Sequence, residues 1–182
     1  MTLPTHEDVL KFWFEESSPQ QWFKKDEVFD KTIRDRFGEL IELALAGLLG
    51  DWAQGREGCV ALILVLDQFT RNVFRGTAKS FAGDVMALSV SDLCRERGYL
   101  NHPDAGFRHF MLIPMMHSED LGVQEASLPL FKEHTDARVH EYALRHHEII
   151  DRFGRYPHRN LDLGRTSTAE ELEFLKKPGS RF

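Results

Sequence analysis

Cys59-Val60-Ala61-Leu62-Ile63-Leu64-Val65-Leu66, running without a turn residue into Asp67-Gln68-Phe69-Thr70-Arg71, is the stretch on which the fold class turns. Eight apolar residues in succession suit a buried strand or a buried helix alike, because such a run has no polar face for a period to mark. Length decides for helix, since the segment continues to Arg71 with no Gly or Pro to break it and outlasts an ordinary strand. The rest of the chain agrees. Leucine outnumbers isoleucine plus valine by 22 to 15, and apolar residues recur at steps of three and four, the period of a helix face.

Working outward, Thr5 is placed to cap a short first helix with Val9, Leu10, Trp13 and Phe14 on one face, and Pro19 lies beyond its end. From Asp26, a stripe of Phe29, Ile33, Phe37, Leu40, Ile41, Ala44, Leu45 and Leu48 marks the clearest amphipathic helix, with Gly47 and Gly50 available as stops. Ser80 to Arg97 reads as another, with Phe81, Val85, Met86, Leu88 and Leu93 inward and Gly98 as terminator. A short helix holds Phe107, Phe110 and Met111 and should be disturbed at Pro114; Pro129 should kink or divide the helix between Ser118 and His134. Asp136 to Phe153 returns to clear helix, closed by Gly154. A polar loop at about 154–167 follows, then Ser167-Thr168-Ala169-Glu170, read as a capping box, and a short C-terminal helix carrying Leu172 and Leu175. The expected architecture is all-α, residues 1–182 forming one domain of antiparallel helix pairs.

At 182 residues with 42% hydrophobic and 29% charged side chains, the chain has the composition of a folded globular domain rather than a disordered one. A net charge of −6 argues against nonspecific binding to nucleic acid, whose phosphates call for a basic footprint. The run Cys59–Leu66 is far short of a membrane span, and Met1 to Asp8 lacks the pattern of an export signal. A cytoplasmic protein is expected, with Cys59 and Cys94 as buried free thiols. Gly-x-Gly pairs, a Walker lysine motif, Gly-x-Ser-x-Gly, His-Glu-x-x-His and Glu-x-x-His are all missing, so the sequence points to no nucleotide cofactor and no metal centre.

Polar groups that bond and titrate gather in three segments. In the first, Asp67, Gln68, Arg71 and Asn72 follow the apolar run, with Asp67 and Arg71 four apart on one face. A local ion pair is the plain explanation, but a carboxylate following eight apolar residues should be at least partly buried and so needs partners. The second, His117-Ser118-Glu119-Asp120, suits either a helix cap at Ser118 or an acid/base histidine oriented by Glu119. The third runs from Arg152 to Arg165 and sets four arginines against Asp162 alone, a local charge of +3. It includes Arg155, His158, Arg159 and Asn160, and fits either an anion site or a clamp that satisfies buried carboxylates such as Asp67, Glu119 and Asp120.

At these segments the chain resembles the domain-of-unknown-function family 924. The resemblance rests on Val9-Leu10-Lys11-Phe12-Trp13-Phe14 with Trp22-Phe23, Leu66-Asp67-Gln68-Phe69-Thr70-Arg71-Asn72, and Pro114-Met115-Met116-His117-Ser118-Glu119-Asp120. It continues through Arg152-Phe153-Gly154-Arg155-Tyr156-Pro157-His158-Arg159-Asn160, Leu163-Gly164-Arg165, and Glu171 with Phe174-Leu175. It implies a tetratricopeptide-like, right-handed superhelix of helix pairs and carries no activity, substrate or cofactor. Two readings remain. In one, Asp67, Gln68, Arg71, Asn72, Glu119, Arg155, Arg159 and Asn160 converge to bind a small anionic ligand, with His117 or His158 moving a proton. In the other the chain is a scaffold for a protein or peptide partner, and the cluster is internal. The 14 phenylalanines divide accordingly. Phe12, Phe14, Phe29, Phe37, Phe81, Phe107 and Phe110 are expected in the core, while Phe69 and Phe153, with Tyr156 near the latter, are expected to wall the polar cluster.

Overall fold

The computed structural model describes residues 2–181, and every regular element among them is helical. Helix α1 spans His6–Lys11, α2 Pro19–Phe23, α3 Glu27–Leu45, α4 Arg56–Ile63 and α5 Thr70–Val73. They are followed by α6 at Asp84–Glu96, α7 at Ala105–His117, α8 at Leu121–His134, α9 at Ala137–Phe153 and α10 at Ala169–Leu175. Among these described elements, α6 packs on α7, α7 on α8 and α8 on α9, while α4 contacts α1, α6 and α7. The apolar run at 59–66 is thus a helix with neighbours on every side, buried from Gly58 through Thr70.

Local signals set most ends. The Thr5 hydroxyl accepts from the Asp8 N–H while Asp8 accepts from the Thr5 N–H, and Asp26 accepts from the N–H groups of Val28 and Phe29, each quenching donors that open a helix. Gly154, at φ 67°, closes α9 in the left-handed conformation that costs glycine least. At α10 the cap is Thr168 with Glu171, one residue beyond the expected Ser167 and Glu170.

The two prolines act more mildly than their sequence context suggests. Both α7 and α8 are continuous, through Pro114 and Pro129 respectively. An internal proline costs about 3 kcal/mol. In α7 all seven residues from Phe110 to Met116 are buried, at about 1.5–3 kcal/mol for each large apolar side chain, so packing holds the helix where local propensity would end it. The inward face of α6 also differs from expectation. Ala87, Val90, Ser91 and Cys94 are buried, whereas Val85 is 78% exposed; Ser80 and Phe81 belong to a separate 3-10 turn, Ala78–Phe81, so α6 begins only at Asp84.

Two π-helical turns, Phe12–Glu16 after α1 and Leu64–Phe69 between α4 and α5, stand at the aromatic centre. Trp13 stacks on Trp22 at 5.8 Å and meets Phe110 edge-on, and Phe12, Phe37 and Phe69 interlock at 5.0–6.0 Å. Phe69 is therefore a core ring and not a wall of the polar cluster. A smaller apolar group of Ile149, Ile150 and Tyr156, joined by Phe153 and Phe174, docks the C-terminal segment.

Candidate functional site

Widening a helix to π spacing inserts one residue and turns everything after it on the helix axis. Carbonyls loosened by this change are taken up locally: the Thr70 hydroxyl lies 2.8 Å from the Leu66 oxygen and 3.2 Å from that of Asp67, and Arg71 Nη1 donates to the Asp67 oxygen at 2.8 Å. The polar residues of this rod then face three different neighbours. Asp67 meets His117 on α7, Arg71 meets Asp84 on α6, and Asn72 meets Asp30 on α3.

Asp67 is fully buried. One carboxylate oxygen takes His117 Nδ1 at 2.7 Å and Arg71 Nη1 at 2.9 Å, and the other takes the Gln68 amide at 2.5 Å. Burial alone would raise its pKa, but Arg71 and His117, by charge and hydrogen bond, hold it far below the usual carboxylate range. Since an ionised carboxylate only accepts, Nδ1 of His117 carries the proton and Nε2 is the basic nitrogen. Burial, reinforced by Arg71, keeps this imidazole below the ordinary histidine pKa against the pull of Asp67.

A second carboxylate, Asp84, joins two arginines. Arg71 Nη2 donates to it at 3.0 Å and Arg159 Nη1 at 3.1 Å, and the other Nη of Arg159 donates to the His117 carbonyl at 2.9 Å. The Arg159 guanidinium lies over the ring of Phe81 at 4.7 Å and over that of Tyr156 at 4.6 Å, two cation–π contacts for one planar cation. Phe81, expected in the core, is therefore the aromatic wall of the cluster. Tyr156 is anchored in turn: its hydroxyl donates to the Met116 carbonyl at 2.5 Å and accepts from Gln124 at 2.8 Å, and burial pushes its pKa well up.

The remaining polar residues satisfy one another further along the loop. Glu119 takes Arg165 in a two-pronged pair at 2.7 and 3.0 Å and the Tyr156 N–H at 2.7 Å. It is committed there, and the residue that orients His117 is Asp67. Arg155 grips Glu171 at 2.7 and 2.8 Å, and Asn160 donates to the same carboxylate at 3.2 Å. The Arg155 and Thr168 hydrogen bonds bring the Glu171 pKa down to about 2. Asp120 caps α8 through the Val123 N–H, so the cap falls two residues after Ser118.

Of the residues singled out in the sequence, Asp67, Gln68, Arg71, His117 and Arg159 come together; Asn72 turns away to Asp30, which also takes Arg75, and Arg155 and Asn160 join the Glu171 clamp. Glu119 binds the neighbouring loop, while the half-buried His158 ring lies 5.6 Å from Tyr156. Asp84, Phe81, Tyr156, Gln124 and Arg165 complete the arrangement. Asp84 carries no distinctive sequence signal, because an acid in a helix's first turn is ordinary. Among the described residues, no three of His, Cys, Asp and Glu are grouped to hold a metal ion. Two surface depressions, of about 500 and 320 Å³, lie on α10 and α9 and are lined by none of the clustered residues.

One buried histidine, His146, and two half-buried ones, His109 and His158, have a measurable consequence. Burial lowers His146 and His158 to about 3 and His109 to about 4, from 6.5. As pH falls below about 6.5 the unfolded chain takes up these protons first, so stability is lost down to pH 3–4 at about 1 kcal/mol per pH unit for each such proton. Urea midpoints should therefore fall from pH 7.5 to pH 5, and a flat profile would contradict the neutral state of these rings.

A family model described as a bacterial protein of unknown function, DUF924, matches residues 9–179. A solved structure of a protein of unknown function from Agrobacterium tumefaciens is 37% identical, with a TM-score of 0.88 over 94% of this chain and 96% of that one. No curated protein is a significant match. With nearly its whole length inside the family model and a structural relative above one third identity, the chain belongs to the bacterial family of unknown function DUF924.

Proposed function

We propose that the chain binds a small ligand bearing a carboxylate or phosphate at the rim where His117, Arg71 and Asp84 reach solvent, and that His117 accepts a proton there. The observation that carries this reading is the 2.7 Å bond between the buried Asp67 carboxylate and His117 Nδ1. A carboxylate behind one nitrogen of a neutral imidazole holds its tautomer and leaves the other nitrogen as a base. Arg71 stands beside it with a side chain 20% exposed, and its planar fork suits an oxyanion. Both arginines already share Asp84, so an incoming anion would share or replace that carboxylate. The two buried free thiols fit a reducing cytoplasm. The reading treats the whole chain as one domain.

Thermal shift and calorimetry with inorganic phosphate, acetate, succinate and citrate test it. At least one anion should stabilise the protein saturably, with loss of the effect in Arg71→Lys and movement of the His117 ring signals in NMR. No saturable response to any of these, with His117 unmoved, would overturn the proposal.

A tetratricopeptide-like interaction scaffold is a second reading, favoured by the saturation of Arg155 by Glu171 and of Arg165 by Glu119. Under it the loop arginines act as clamps. Arg155→Ala should then lower the melting temperature well beyond Arg152→Ala, because Glu171 is buried whereas Glu170 is exposed. Equal shifts would remove the clamp role.

A further inference from the structure

The only cysteines of the sequence lie at the contact between α4 and α6. Cys59 sits in the first turn of α4 and Cys94 in the last turns of α6, and both are fully buried. The segments that carry them meet at the Ala53 carbonyl, which accepts from the Cys59 thiol at 3.5 Å and from Arg97 Nη1 at 2.7 Å. Arg97 follows Cys94 by three residues, on the same side of α6. The same arginine also reaches the Gln54 carbonyl at 3.3 Å, so the C-terminal end of α6 is tied to the 3-10 turn Gly50–Gln54 that leads into α4. The Cys59 S–H is directed at Ala53, and the Cys59 and Cys94 side chains interact with each other.

We propose that Cys59 and Cys94 are a reversible redox pair, converted by a hydroperoxide into an intramolecular disulfide that staples α4 to α6. In the first step the Cys59 thiolate attacks the peroxide oxygen; the O–O bond breaks, Cys59 becomes a sulfenic acid, and the departing oxygen leaves as water after gaining a proton. In the second, the Cys94 sulfur attacks the Cys59 sulfur, the S–O bond breaks, and the hydroxyl leaves with the Cys94 proton as a second water. Two thiols and one hydroperoxide thus give one disulfide and two waters when the oxidant is hydrogen peroxide, and a dithiol reductant restores the thiols.

The division of roles follows from the surroundings. The interaction with Cys94 lowers the Cys59 pKa, with Arg97 adding to the effect and burial opposing it; Cys94 is pushed far up by its interaction with Cys59 and by burial. Position assigns the roles: Cys59, in the first turn of α4 beside the 3-10 turn Gly50–Gln54, is the thiol that the oxidant reaches first, and Cys94, deeper on α6, is the one that resolves. Access comes from the turn over Cys59, since Gly50, Asp51, Gln54 and Gly55 are exposed and a helix's first turn opens at lower cost than its middle. A disulfide there would pin the two helices that lead to Asp67 and from Asp84.

The native protein treated with hydrogen peroxide should lose two hydrogens by intact mass. Non-reducing peptide mapping should recover a Cys59–Cys94 cross-linked peptide that disappears with dithiothreitol, and the oxidised protein should melt higher. In Cys94→Ser, dimedone should label Cys59 after peroxide; in Cys59→Ser, the disulfide should not form. Should either variant fail to fold, the mapping of the unmodified chain decides alone. The proposal is overturned if the folded protein resists peroxide while the urea-unfolded chain reacts, or if the disulfide found links two molecules.

Discussion

Asp67→Ala should destabilise the protein by about 3–5 kcal/mol, the usual result of deleting one partner from a buried ion pair. The loss exceeds that of a surface pair, about 0–1 kcal/mol, because Asp67 is fully buried and serves Arg71, His117 and Gln68 together. Its removal leaves the His117 Nδ1–H and the Gln68 amide without their acceptor and Arg71 with Asp84 as its one remaining carboxylate. Asp67→Asn keeps the size but replaces an acceptor with an amide, so it should recover packing without recovering the charge. Because the folded Asp67 pKa lies below the unfolded one, the stabilisation is present above the unfolded carboxylate range and disappears as pH falls through the folded value. Urea unfolding at pH 7 measures the first effect, and a loss under about 1 kcal/mol would mean that the pair behaves as a surface one.

Gly83→Ala should be nearly as damaging, for a reason that involves no charge. A Cβ at this position would stand 2.1 Å from the Leu66 carbonyl oxygen and 2.8 Å from its carbon. Both atoms are backbone and belong to the π turn, so no side chain can swing away, and the start of α6 must lift off that turn. Overpacking usually costs about 1–3 kcal/mol, and more where the obstruction is rigid. Since Asp84 is the next residue, the same shift should pull its carboxylate from Arg71 and Arg159 and alter the His117 NMR signals. Gly38→Ala is the contrasting control. It lies within α3 with nothing within 4 Å of the new methyl, and should stabilise by up to about 1 kcal/mol from helix propensity.

The unequal legibility of the molecule has a physical origin. Thr5, Asp26 and Gly154 announce helix ends because a cap is a contact between residues two to four positions apart. The Asp67–Arg71 pair is legible for the same reason, one helical turn separating its members. Phe69 and Phe81 exchange their expected roles because a π turn precedes Thr70 and a 3-10 turn ends at Phe81, each shifting the face on which later residues fall. His117 is a candidate from the sequence, yet its partner there is Glu119, two residues away, and in the fold it is Asp67, fifty residues away. Periodicity contains no information about such a pairing.

What the sequence by itself determined is the helical class, the approximate position of most helices, and the three polar segments that the fold would have to satisfy. These follow from interactions within about one turn of chain, the range over which propensity, capping and amphipathic spacing operate. The tertiary structure alone decided how the polar residues divide: Asp67, Arg71, His117 and Arg159 around a buried carboxylate, Asn72 with Asp30, and Arg155 with Glu171. It also brought in Asp84, unmarked in the sequence, to join Arg71 to Arg159. Burial is the reason. A charge removed from water must find a partner wherever packing has placed one, and that choice belongs to the close-packed core rather than to the local chain.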